Sequence, residues 1–413
     1  MILNRESLLE IINDLNVQTF LDLSNQFNIS HIEENTFEGL LDLEFIDLSE
    51  NSIESIESEI FKNLTNLTQV ILSKNKIRTI NSKLYDGLTK LTGIYMSYNE
   101  LVSFDESLFN KLVDLNEIWL ANNKLAQLGE KTFHGLQNLT QLFLSNNKLS
   151  TIDVHLFKDL HNLNRLELSN NNLKSIAQFA FDDLKNLRAL NLSENKLVDL
   201  DACLFKNLTN LEELDLSCNL VKHLDKDTFK DLLNLFYLGL NDNQIEYLDP
   251  DMFESLSNLN AINLSGNKLK SIHTSAFQSL KKLNIIELER NELSYIEPGT
   301  FANLVNLEII NLAYNKLDYL ESDTFKGLIK LKTINLSFNY ITSIYTNTFD
   351  GLNILNDLNL SSNHITHLDL YLCKFFFRLN TVNLNDNYLS KKFKFYKMSR
   401  NNRGVGIKWI MLN

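Results

Sequence analysis

Leu115-Asn-Glu-Ile118-Trp119-Leu120-Ala-Asn-Asn123-Lys-Leu125 reads L-x-x-L-x-L-x-x-N-x-L, with Ile118 at one of the aliphatic places. The pattern returns one step later at Leu139, Leu142, Leu144, Asn147 and Leu149. It is also present one equal step earlier, at Leu91, Ile94, Met96, Asn99 and Leu101. The asparagine alone recurs fifteen times between Asn51 and Asn387, always with the period that separates Asn99, Asn123 and Asn147 and with no insertion or deletion. A fixed period of this length marks a repeat architecture in which identical coils stack on one another.

Within each coil the two residues flanking the middle strand residue are apolar. The first runs Ile46, Val70, Ile94, Ile118, Leu142 and onward, and the second is leucine in every coil but one, where Met96 stands. Period-2 alternation points both inward and turns the residue between them outward, as in a short strand stacked in parallel on its neighbours. The asparagine follows, where the chain must turn. A buried carboxamide both donates and accepts, so it satisfies backbone groups that an apolar side chain would orphan.

Ten residues after the asparagine stands an aromatic: Phe61, Tyr85, Phe109 and so on to Phe349, with Phe37 in an irregular first coil. So regular a stripe predicts a spine of stacked rings filling the outer side of the core rather than a ligand track. Bulky return segments outside and strands about 4.8 Å apart inside would curve the stack, placing the strands on a concave face.

The 413 residues include only 12 Gly and 2 Pro, so no flexible linker divides the chain. Pro250 and Pro298 each stand seven residues after the repeat asparagine and read as turn residues of the coil. A solenoid grows by adding coils, so length does not imply several domains here. The formal charge is −13; the seven basic residues after position 390, with no acidic one, leave about −20 on the body before them. That balance disfavours nucleic acid or an anionic membrane as the main partner. Cys203, Cys218 and Cys373 form neither a disulfide framework nor a zinc spacing. No apolar run approaches the roughly 18 residues of a membrane helix, and Asn4-Arg5-Glu6 interrupts the apolar start that a signal peptide would need.

The ends depart from the period. Leu8, Ile11, Ile12 and Leu15 keep helical spacing, and Ser7 with Glu10 forms a capping-box pattern. A short helix over 7–15 is predicted to cover the first coil, within a capping segment 1–16. The repeats then occupy 17–390, and 391–413 forms a basic tail or cap. Phe375, Phe376 and Phe377 are placed to close the last coil.

The residues carry a family resemblance by this point. The pattern L-x-x-L-x-L-x-x-N-x-L-x-x-I-x-x-x-x-F-x-x-L, seen from Leu115 through Ile118, Leu120, Asn123, Leu125, Leu128 and Phe133 to Leu136, resembles the 24-residue "typical" class of leucine-rich repeat proteins. The resemblance covers about residues 20–390. It implies an α/β repeat: a curved solenoid with a parallel sheet on the concave face, a phenylalanine spine toward the convex side, and protein partners bound on the concave face. The class includes extracellular and cell-surface proteins such as Toll-like receptor ectodomains, and Slit-like and acid-labile-subunit-like proteins. It therefore implies an extracellular or cell-surface setting. The missing signal peptide and cysteine-rich caps leave two alternatives: a cytoplasmic member, or a fragment.

With no insertion loops, a site must be built on the outward strand positions. Most are polar, but four successive coils place Ile71, Tyr95, Trp119 and Phe143 side by side, roughly 14 Å end to end. Tyr98 lies near, and Asp47, Lys74, Glu117, Gln141, Arg165 and Glu167 would make a polar rim. Aromatic centre and polar rim are interface anatomy. Ile285, Ile309, Tyr314 and Phe338 form a second, less compact set. Nine N-x-S/T sequons occur, of which Asn66 and Asn138 are the glycosylation candidates that leave the strand face clear.

The enzyme motifs are missing: no G-x-S-x-G, phosphate loop, dinucleotide fingerprint or H-E-x-x-H occurs. Glu167 and Asp215 would face each other on an open surface with no pocket to perturb a pKa. His364, His367 and Asp369 fall at turn positions and read as scattered surface residues. The expectation is a non-enzymatic protein-binding scaffold without catalytic residue, metal or cofactor. The alternative is an intracellular scaffold that associates with copies of itself.

Overall fold

The computed structural model describes residues 1–12, 19–25, 27–368, 370–376, 378–389, 394–395 and 411–412. The chain forms two compact units, Met1–Leu211 and Glu212–Asn413. Each is a stack of coils one repeat long. In the first unit the strands run from Phe20–Asp22 and Phe45–Asp47 through Glu117–Trp119 to Ala189–Asn191, each paired in parallel with the next. In the second they run from Glu213–Asp215 through Ala261–Asn263 to Thr381–Asn383, again all parallel. Partners in each pair are one sequence period apart, as Trp119 is from Phe143; between Phe20–Asp22 and Phe45–Asp47 the longer first loop adds one position.

The inward residues are buried, Ile118 and Leu120 at 0% exposure being representative, until the last coil, where Leu384 is half-buried. The asparagine does more than fill the turn. Asn123 accepts from the Leu101 N–H of the preceding coil at 3.0 Å, and its amide donates to the carbonyls of Met96, at 3.0 Å, and Leu120, at 3.1 Å. Asn267 repeats this in the second unit with Ile245, Leu240 and Leu264. One side chain thus closes its own turn and ties it to the coil before. Aspartate lacks the donors, and serine lacks the reach.

The residue just before each of these asparagines is left-handed, for example Lys74 at φ 57°, Tyr98 at 58° and Phe338 at 55°. Only one coil uses glycine there, Gly266 at φ 64°. Holding a side chain in that region costs about 1 kcal/mol or more per coil, which the asparagine's three bonds offset.

The spine is present in both units. Phe133 stacks on Phe109 at 6.2 Å and on Phe157 at 6.4 Å, nearly parallel; Phe277 stacks on Phe253 and Phe301 at 6.2 Å. These spacings exceed the strand spacing of about 4.8 Å, so within each unit the coils are wedges and the strands line the inner, concave side. Two exceptions to the pattern are partners. Tyr85, the one tyrosine of the spine, is fully buried and donates to the Met96 thioether at 3.3 Å; Met96 is the one position where the strand's second leucine is replaced. Burial without a charged partner pushes the Tyr85 phenol strongly upward.

The N-terminal helix, α1, spans Arg5–Ile11. Its N-cap is Asn4, and Ser7 is the third helical residue. The Asn4 carboxamide accepts from the Ser7 N–H at 2.9 Å, while the Ser7 hydroxyl accepts from the Asn4 N–H at 3.0 Å. The helix therefore starts earlier than the 7–15 read from Ser7 and Glu10, because the reciprocal pair is made one turn upstream. Leu3 and Leu8 are buried, and Ile2–Leu3 pairs in parallel with His31–Ile32. Leu15 lies outside the described residues.

Near the other end a second helix, α2, spans Leu370–Phe376. Cys373 stands ten residues after Asn363, the place that an aromatic holds elsewhere, and is buried. The spine continues instead through Phe375, stacked on Phe349 at 5.5 Å, with Phe376 against both. Helical rise moves the ring's place two residues on. Phe377 and the tail's basic side chains lie outside the described residues. Lys394–Phe395 and Met411–Leu412 form an antiparallel pair.

Candidate functional site

The in-register pairing of the first unit sets Ile71, Tyr95, Trp119, Phe143 and Glu167 on one row. All of these but Glu167 are half-buried. Tyr95 and Trp119 have ring centroids 5.9 Å apart at 47°, and Trp119 and Phe143 are 4.2 Å apart at 34°. The three rings form one continuous surface along the concave side.

The rim fixes these rings. The Trp119 indole N–H donates to the Glu117 carboxylate at 3.0 Å, and the Tyr95 hydroxyl donates to the same oxygen at 3.3 Å. One carboxylate so orients both polar tips. Burial, with the Glu117 charge second, pushes the Tyr95 phenol up to about 12. The Tyr95 ring lies back over Gly93, where an added Cβ would come within 2.7 Å of its Cε2 and hydroxyl. Gly93 is there because only bare backbone leaves room for that ring.

Two expected members stand differently. Glu167 is nearly buried, at 8% exposure, and its carboxylate is taken by Arg165, Nε donating at 2.7 Å and Nη2 at 2.6 Å. It ends the strip instead of offering a free charge. Tyr98 is 56% exposed on the left-handed turn, and among the described residues no ring contact joins it to the stack. Its place three residues past Tyr95 puts it on the turn rather than on the strand.

One aromatic pair was missed. Phe20 and Phe45 stack at 4.4 Å and 4°, with Phe20 55% exposed. They hold the outward place just before the first inward aliphatic, a row that the alternation also exposes and that holds Gly93 and Glu117 further on.

In the second unit Ile285 and Ile309 pair across neighbouring strands, while Tyr314 and Phe338 stack at 4.2 Å and 7° on the turns, 45% and 46% exposed. Strand and turn hold two separate pairs there. His364 lies between the rings of Tyr340 and Tyr388, 5.5 Å from each; Asp369 is outside the described residues. The second unit's middle strand row, on which neither isoleucine lies, is polar apart from Gly239. The Glu287 carboxyl is raised above the usual glutamate value by burial, opposed by a hydrogen bond to Asn311.

The glycosylation candidates have their attachment nitrogens engaged. Asn66 Nδ2 donates to Leu41 O at 2.9 Å and Asn138 Nδ2 to Val113 O at 3.1 Å. A glycosylated amide keeps one N–H, so both bonds are compatible with the modification.

The family pattern described as "Leucine rich repeat" matches residues 113–173, 137–197, 162–221, 186–245, 209–269, 257–317 and 306–365. The "BspA type Leucine rich repeat region" matches 17–140. The chain belongs to the leucine-rich repeat family. That family is generally a non-enzymatic protein-interaction fold. No curated protein matches the chain by sequence. Among solved structures, a leucine-rich repeat protein of Leptospira interrogans superposes with TM-score 0.75 and 25% identity, over 89% of this chain and 90% of that one. The TLR13–ssRNA13 complex gives TM-score 0.70 and 26% identity over 87% and 57%. The glycosylated Toll–Spatzle complex of Drosophila gives 0.75 and 21% over 94% and 54%. This leucine-rich repeat chain thus spans little more than half of the last two. Among the described residues no helix is long and apolar enough to cross a membrane.

Proposed function

We propose that this leucine-rich repeat protein is a non-enzymatic recognition scaffold that binds a protein ligand on the strand face of its first unit. The observation that carries the reading is the continuous Tyr95–Trp119–Phe143 surface, pinned from below by Glu117 and Gly93. Preoriented aromatic rings lose little freedom on binding, which is why such residues dominate interface energetics. The strip is flanked by Ile71 on one side and the Arg165–Glu167 pair on the other. An apolar or aromatic anchor from an extended ligand segment would lie along it. The formal charge of −13 favours a ligand richer in cations than in phosphates.

A receptor-like role outside the cell, with a glycan at Asn66, accords with the Toll–Spatzle complex among the structural relatives. The competing reading is an intracellular scaffold whose aromatic strip meets a second copy. Light scattering across a concentration series separates the two: a monomer favours recognition of another protein. The direct test is selection of displayed random peptides on the wild-type chain. Enriched binders should carry aromatic or aliphatic anchors and lose binding to Trp119→Ala while keeping it to Asn263→Ala. Binders indifferent to Trp119→Ala would end the proposal.

A further inference from the structure

A second feature of the first unit lies off the aromatic strip. An open groove of about 360 Å³ is lined by Asn138, Asn162, Asn186 and Asn210, one from each of four successive coils, with Asn164 and Arg188 beside them. Each of the four donates its amide to a backbone carbonyl of the coil before: Asn138 to Val113, Asn162 to Gln137, Asn186 to His161 and Asn210 to Lys185, at 2.9–3.1 Å. That bond fixes the carboxamide plane and leaves the oxygen as an acceptor.

In three other coils the chain fills this acceptor itself. Asn66 stands at the same place in its coil, and Lys90, one coil on, donates its ammonium to the Asn66 oxygen at 2.8 Å. In the second unit Lys282 does so to Asn258 and Lys330 to Asn306, both at 2.7 Å. In all three coils the asparagine amide again donates to a backbone carbonyl. In the groove the residue one coil on is asparagine, not lysine, so no ammonium is supplied from that place. Among the described residues Asn162 receives only a long contact from Asn186, at 3.5 Å. Arg188, two residues past Asn186, lines the groove away from Asn138, and Asn138 and Asn162 are the acceptors for a cation.

We propose that this groove binds primary alkylammonium groups, taking from a ligand the lysine-like contact that Lys90, Lys282 and Lys330 make within the chain. The ligand carries several such groups, since a single neutral-oxygen contact in water is weak. Its source is either a lysine-rich segment of a partner protein or a free polyamine.

The test uses the full chain and two probes, pentalysine and spermidine, by isothermal titration. In N162K/N210K each new lysine can reach an asparagine oxygen one coil back, the first that of Asn138 and the second that of Asn186, as Lys90 reaches Asn66, so the acceptors are filled. N122K/N146K adds the same two charges at turn positions equivalent to Lys74. Wild type should bind; N162K/N210K should bind at least about tenfold more weakly, and N122K/N146K within about twofold of wild type. Tighter binding of pentalysine points to a protein segment, and tighter binding of spermidine to a polyamine. No binding by wild type, an unchanged N162K/N210K, or equal loss in both variants overturns the proposal.

Discussion

The strand faces of the two units share a backbone and differ in what they carry. Both have three-residue parallel strands, a buried asparagine behind each turn, and a phenylalanine spine. The first unit presents Ile71, Tyr95, Trp119 and Phe143 at the middle strand position; the second presents Asp215, Gly239, Asn263, Glu287 and Asn311. The interior obeys one rule throughout because each coil must fit the next. The outward residues escape that rule, and individuality collects there.

The comparison can be broken first at the core. Phe133→Ala and Phe277→Ala should each cost about 4 kcal/mol, since each removes a ring stacked on both sides. Amide exchange in the affected coils measures it, and a difference above about 2 kcal/mol between the units would refute a common core. Next, Asn123→Leu and Asn267→Leu should each cost about 2 kcal/mol, because each orphans one buried N–H and leaves two carbonyls with only the donor of a neighbouring asparagine.

A smaller effect separates partners from neighbours. Met96→Leu should cost about 1–2 kcal/mol by leaving the buried Tyr85 hydroxyl without its acceptor, and adding Tyr85→Phe should recover most of it. An additive double variant would mean that the hydroxyl gains nothing from the sulfur. On the faces, Trp119→Ala should lower stability by only about 1 kcal/mol while abolishing ligand capture. Asn263→Ala should shift stability by less than about 0.5 kcal/mol and leave capture intact. A stability loss above about 3 kcal/mol for Trp119→Ala would make that ring part of the core.

The smallest effect concerns pH. The folded Glu287 carboxyl holds its proton more tightly than the unfolded one. Its contribution is therefore fully present below the unfolded pKa and is lost as pH rises through the folded one. Glu287→Gln should flatten that part of the stability profile and leave the variant slightly the more stable above it, read from denaturant midpoints at pH 4 to pH 8. A profile identical to wild type would mean that the burial has no energetic consequence.

Much of this was legible in the residues. The strict period, the inward aliphatics, the asparagine and the aromatic spine follow from alternation and spacing, and Trp119 stood out because its neighbours one coil away are Tyr95 and Phe143. Other features were not legible. Ser7 read as an N-cap because its spacing to Glu10 fits, yet Asn4 makes the reciprocal pair. Glu167 read as an exposed rim charge, but strand position does not reveal that Arg165 would cover it. Phe20 and Phe45 sit on an outward row whose stacking depends on the loop in the first coil.

The sequence by itself determined the coil: its length, its buried face and its hydrogen-bonding asparagine, because a strict repeat leaves one way to stack. Only the tertiary structure decided which surface groups meet. Tyr98 stands exposed on a left-handed turn outside the ring stack, Glu117 gathers the tips of Tyr95 and Trp119, and four carboxamides line a groove whose kind of acceptor lysines fill in three other coils. Those outcomes depend on side chains a full coil apart in sequence, and on which of them reaches a shared partner first.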